Sequence, residues 1–198
     1  MMAVGKKLSV ISGIITLVAT FLFSWIALEI GIGGTIYYAN GIGIIKNLPA
    51  MFTDAESIGD TLAIPVFAFY IIAGIFILFL ASGVLQILGT KHRAFVLVGS
   101  IVSLGIVTLL LLSIVDVIDK ANWVYYILGT DEPLVENIIP LKILGFGIFD
   151  IGMWLLYAGG ILGIVASVVE RKQGGYTSKD KEIRRIEDIR RKSKEELE

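Results

Sequence analysis

The chain contains no cysteine, a single histidine and only two glutamines in 198 residues. The missing thiols exclude disulfides, thiolate nucleophiles, iron–sulfur clusters and cysteine-bearing zinc sites. His92 alone builds no multi-histidine metal centre. Charged residues make up only 18 % of the chain, and a soluble domain usually carries about 25 %. They are also concentrated, because the last 29 residues hold 18 of the 35 Asp, Glu, Lys and Arg side chains. The whole chain is nonetheless 56 % hydrophobic with a mean hydropathy of +0.83, which excludes an ordinary soluble globule.

Apolar runs long enough to cross a bilayer predict four spans, at about 8–28, 62–88, 94–115 and 146–169. The first follows Lys6 and Lys7 and is too long for a signal-peptide apolar region, so a retained helix is expected. The fourth has an uncharged stretch from Ile151 to Val169 and a start as early as Leu141, just after Pro140. Between the second and third spans lie only Gly89, Thr90, Lys91, His92 and Arg93, which requires an antiparallel helix pair with a basic turn. Lys and Arg accumulate on the cytoplasmic side of membrane proteins. Fourteen of the 17 fall at the N-terminus, in this turn or in the tail, leaving Lys46, Lys120 and Lys142 for the two longer loops. Both termini are therefore expected in the cytoplasm, in a multi-pass protein of the plasma membrane. The outer loops are then 29–61 and 116–145, followed by a charged, partly helical cytoplasmic tail at 170–198.

Lipid supplies little hydrophobic drive for helix association, so small residues and interhelical hydrogen bonds take over. Candidate packing positions are Ser12, Thr16, Thr20 and Ser24 on the first helix, Gly99 and Ser103 on the third, and Gly159, Gly163 and Ser167 on the fourth. Two uses of the Gly159 stripe stay open, an intramolecular bundle and self-association between copies.

In the first outer loop, Asn40-Gly41 separates Thr35–Ala39 from Ile42–Ile45, a spacing that predicts a β-hairpin with a type I′ turn. A glycine-rich irregular loop around Gly31, Gly33, Gly34 and Gly43 is the alternative. Leu48–Asp60 reads as a short helix started near Pro49. The second loop carries an aromatic run, Asn122 to Leu128, too short to span. The fold class that results is an all-α membrane protein, an antiparallel four-transmembrane-helix bundle with a small outer cap. Four helices with both ends inside, a longer first outer loop with a hairpin and a short inner turn resemble the architecture of claudins and related peripheral-myelin-protein tetraspans. The resemblance covers most of residues 1–170 as topology. That family's tryptophan and paired-cysteine motif has no counterpart between Glu29 and Thr61, so no functional residue is carried over.

Three acids at predicted outer helix ends, Glu29, Asp116 and Asp150, form a candidate acidic mouth. Charges near membrane spans are costly and often functional; the alternative is that these acids face interfacial water or pair with a nearby lysine. Enzyme constellations are missing from the sequence: His92 sits in a basic turn, and Ser82-Gly83 has no histidine within a span to act as its base. The tail from Arg171 onward carries ten basic and seven acidic residues, too little excess for nucleic-acid binding, although Ile183, Ile186 and Ile189 form a narrow stripe suited to anionic lipid or a partner helix. The expected function is therefore non-enzymatic and cofactor-free. The chain reads as a scaffold, adhesion protein or accessory subunit, contacting the bilayer and a protein partner or second copy through its outer loops and tail. A small channel or transport subunit using the acidic mouth is the alternative.

Overall fold

A computed structural model of the chain describes residues 3–29, 36–114, 129–130, 141, 149–169 and 186. These are mostly helical. In chain order they form α1 (Val4–Phe21), β1 (Ile26–Glu29), β2 (Ile36–Ala39), α2 (Gly41–Thr53), α3 (Ala55–Leu62), α4 (Val66–Leu80), α5 (Ser82–Leu88), α6 (Arg93–Ile114), β3 (Gly129–Thr130) and α7 (Ile151–Val168). The second-loop aromatic run and Asp116 lie outside the described residues, as does the tail apart from helical Ile186.

Helices α1, α6 and α7 are long and apolar enough to cross a membrane. Eighteen residues rise about 27 Å, close to the thickness of a hydrocarbon core. The pair α3 and α4 reaches the same length and composition together, but is bent by 103°. Between α4 and α5 the interruption is Ala81 alone. Its N–H donates to the Ile77 carbonyl at 3.1 Å, and its own carbonyl accepts from Leu85 N–H at 2.9 Å, so the hydrogen-bond ladder passes through the break. Helix α1 packs against α7 and α5, and α6 packs against the same two. Glycines let backbones approach here: a Cβ on Gly13 of α1 would stand 2.5 Å from the Gly83 carbonyl of α5.

The first expected span is corrected at its end. The helix stops at Phe21 instead of reaching residue 28, and the chain becomes extended. The reason is competition for backbone partners. Leu22 still donates to Val18, but Ser24 N–H turns to Leu141, Leu141 N–H to Leu22, and Trp25 N–H to the Ala39 carbonyl at 2.9 Å. Strands β1 and β2 then pair antiparallel from Ile26 opposite Ala39 to Glu29 opposite Ile36, and β2 pairs with β3. The fourth helix is corrected at its start. Leu141 bridges Phe23 instead of opening a helix, and α7 begins at Ile151 behind Asp150.

Asn40-Gly41 is not a hairpin turn. Asn40 Oδ1 accepts from Gly43 N–H at 2.8 Å and caps α2, so the expected second strand, Ile42–Ile45, is the first turn of a helix. An Asn side chain that caps suits a helix start as well as a turn, and Gly41 lies where a Cβ would stand 2.7 Å from the Thr20 carbonyl. Burial of Ile42 and Ile44 favours the helical choice. The helix expected over Leu48–Asp60 is instead the end of α2 plus α3, with Pro49 inside α2.

Helix α3 closes with two bonds that define a Schellman motif, Ala63 N–H to Asp60 and Ile64 N–H to Gly59 at 2.8 Å. Ala63 sits at φ 53°, ψ 44°, in the left-handed region that favours glycine. Ala63→Gly is therefore expected to raise stability by about 1 kcal/mol. Gly59→Ala is expected to lower it, because its Cβ would meet the Ile64 carbonyl at 2.8 Å. Thermal unfolding of the two variants in detergent micelles checks both signs.

Candidate functional site

Where α1, α5, α6 and α7 meet, the chain buries a run of polar side chains. Ser9, Ser12 and Thr16 recur at helical spacing on one face of α1, and each is fully buried, as is Gln86 of α5. Ser12 Oγ lies 2.6 Å and Thr16 Oγ1 2.8 Å from Gln86 Oε1, while Ser9 Oγ donates to the Gln86 main-chain carbonyl. Ser12 Oγ is also 2.8 Å from the Gly159 carbonyl of α7. A hydroxyl carries one proton, so Ser12 serves Gln86 or Gly159 in turn. With the amide rotated by half a turn, its NH2 group donates to both hydroxyls and Ser12 is free to donate to Gly159. In either orientation one end of the Gln86 amide has no protein partner, and the buried hydroxyls of Ser82 and Ser103 have none either.

The residues singled out in the sequence distribute as follows. Ser12 and Thr16 hold Gln86. Thr20 Oγ1 donates to the Thr16 carbonyl in its own helix, and Ser24 Oγ donates to the Asp150 carboxylate. Gly159 lies under Thr16, where a Cβ would meet Oγ1 at 2.5 Å, and Gly163 lies between the Ser100 and Ser12 hydroxyls. Both glycines thus face neighbouring helices of the same chain. Gly99 faces the Ser82 carbonyl and Gln86 Cγ, Ser103 is buried on α6, and Ser167 donates within its own turn to Ile164 at 2.6 Å.

Of the acidic mouth, only Asp150 has a described side chain. It is buried, 2 % exposed, where the chain leaves α1 and enters α7. Its main-chain N–H donates to the Trp25 carbonyl at 2.9 Å, and its carboxylate accepts from Ile151 N–H at 3.3 Å. Glu29 closes β1 opposite Ile36, and Asp116 lies outside the described residues. Two of the three expected carboxylates, those of Glu29 and Asp116, thus lie outside the described side chains. No group of three or more His, Asp or Glu among the described residues is placed to hold a metal.

Gln86 is the residue that the sequence reading passed over. It carries no charge, yet an amide within a long apolar run is itself a signal, because burying it is costly. Trp25, whose residue type is expected at the membrane–water boundary, is fully buried, donates from Nε1 to the Ala19 carbonyl at 2.8 Å and meets Phe79 edge-on at 5.4 Å.

Chemically, the buried run consists of hydroxyls and one amide, which ties helices in register without supplying an acid, a base or a charged ligand. Gln86→Leu strands the Thr16 hydroxyl, leaves Ser12 only the Gly159 carbonyl and is expected to cost about 1–2 kcal/mol. Ser12→Ala is expected to cost less, about 0.5 kcal/mol, because Thr16 still reaches the amide. Gly163→Ala is expected to be worse than either, since hydroxyls press on it from two helices. Denaturation midpoints in one detergent rank the three variants.

Compared with known protein families, curated proteins and solved structures, the chain matches none.

Proposed function

We propose that the chain is a four-span, non-enzymatic protein of the plasma membrane whose cap, formed by β1, β2, α2 and α3, is a docking surface for a scaffold, adhesion or accessory role. The span added in this reading to α1, α6 and α7 is Val66–Leu88, second in chain order and continuous through the bonds at Ala81. Both termini and the Lys91–Arg93 turn lie in the cytoplasm, and the cap lies outside.

The observation that carries the proposal is the fastening of the cap. Trp25 is bonded to Ala39 on one side and to Asp150 on the other, so the cap's strands continue directly from the helix ends. A surface fixed in this way keeps one shape, which suits recognition, since little ordering is lost on binding. The channel alternative draws less support. Its candidate lining, the hydroxyl face of α1, is fully buried, and Ser12 and Thr16 are engaged with Gln86.

The absence of cysteine makes a clean test. Ser57, exposed on α3, and Lys91, exposed in the α5–α6 turn, become single reactive sites as Ser57→Cys and Lys91→Cys. An impermeant thiol reagent on intact cells is expected to label the first and spare the second. The reverse pattern overturns the orientation. Liposomes containing the folded protein are expected to show no cation flux above empty ones, and flux abolished by Asp150→Asn transfers the assignment to a channel.

A further inference from the structure

We propose that the joint between α2, α3 and α4 docks the headgroup of a phospholipid bearing an ammonium cation, with its acyl chains lying along α4. The proposal rests on the membrane reading above. With α4 crossing the bilayer, the 103° bend directs α3 along the membrane surface and makes it a ledge above the lipid. Below that ledge Phe67, Ile71, Ile75 and Leu78 form one stripe at helical spacing on α4, between 38 and 69 % exposed. This is an acyl-chain surface that leads upward to the cleft.

The cleft occupies about 740 Å³ and is lined by the end of α2, the start of α3 and Tyr70 of α4. Phe52 and Tyr70 stack there with ring centroids 6.0 Å apart and planes 13° apart, each ring remaining almost half exposed. Asp54 and Glu56 are the charged residues of the lining, and no Lys, Arg or His joins them among the described residues. An aromatic surface beside carboxylates attracts an organic cation through the ring quadrupoles and through charge together. An anionic headgroup would meet repulsion. The stripe requires an occupant with long apolar chains, and the cleft requires a positive tip, which together describe phosphatidylcholine or phosphatidylethanolamine in the outer leaflet.

The test uses the full chain in vesicles of equal phosphatidylcholine and phosphatidylglycerol, followed by native mass spectrometry of the released protein and its retained lipids. Wild type is expected to retain phosphatidylcholine over phosphatidylglycerol at a ratio about 2–5-fold above that of the bilayer, the range that an exposed cation–π contact provides. Asp54→Asn with Glu56→Gln is expected to return the ratio to that of the bilayer. Both side chains are exposed and neither makes a side-chain cap bond, so the double variant is expected to fold, losing only the small stabilisation of acids at the start of α3. Tyr70→Ala is expected to do the same, while Tyr70→Phe, which keeps the ring, retains the enrichment. Carbonate extraction of the same vesicles reports insertion separately: extraction of wild type overturns the membrane reading and this proposal with it. An inserted protein that shows no headgroup preference, prefers phosphatidylglycerol, or keeps its enrichment in the Asn/Gln double variant overturns the lipid site alone. So does a wild-type dimer that disappears with Tyr70→Ala, which gives the cleft to a second copy.

Discussion

Where α1 ends, the main-chain groups of Leu22 to Ile26 need hydrogen-bond partners among apolar side chains, and much of the surrounding structure answers that need. An unpaired amide in such a setting costs several kcal/mol, so the exit from α1 is closed by strand-like bonds from three other parts of the chain. Leu141 takes Leu22 and Ser24, Ala39 takes Trp25 from one side, and Asp150 takes it from the other. Each bond also fixes something else. Ala39 leads into the cap of α2 at Asn40, and Asp150 starts α7, so the strands and two helices are positioned from one short segment. Buried Trp25 fills the centre of this joint against Phe79 of α4.

Helix contacts below the joint obey the same logic with side chains in place of backbone. Gly13 against Gly83, and Gly159 and Gly163 against α1 and Ser100, bring helices close enough for hydroxyls to reach across. Gln86 then receives Ser12 and Thr16 from α1, and Ser12 also reaches Gly159 on α7. The small residues create the proximity and the polar ones set the register. Neither group alone specifies the arrangement, because glycine is indifferent to register and an amide at a distance has nothing to bind.

This division separates the interior from the surface in function as well. The Ser12 and Thr16 hydroxyls and one end of the Gln86 amide are buried and engaged with one another, which suits cohesion. The exposed features with directional chemistry, the Phe52–Tyr70 pair and the carboxylates of Asp54 and Glu56, lie at the opposite end on elements held by the fastened cap. A rigid presenting surface above a sealed bundle is the physical content of the docking role proposed for the chain.

Apolar helices were legible in the sequence because hydropathy adds along the chain and needs no partner to be read: α1, α6 and α7 all overlap expected spans. The small-residue positions of α1 and α7 were legible for the same reason, since their spacing places them on one helix face. Three things needed the tertiary structure. Hydropathy ran unbroken through Trp25, yet α1 stops at Phe21, because Ala39 and Leu141, remote in sequence, offer the following residues better partners. Asn40-Gly41 carried the local signature of a turn and became a helix cap, because burying Ile42 and Ile44 outweighed local preference. Gln86 acquired its role only when α1 came alongside. The sequence by itself determined which segments are apolar and which faces are small; the ends of those segments and the partners of their polar groups were decided by hydrogen bonds between residues far apart, which no local pattern encodes.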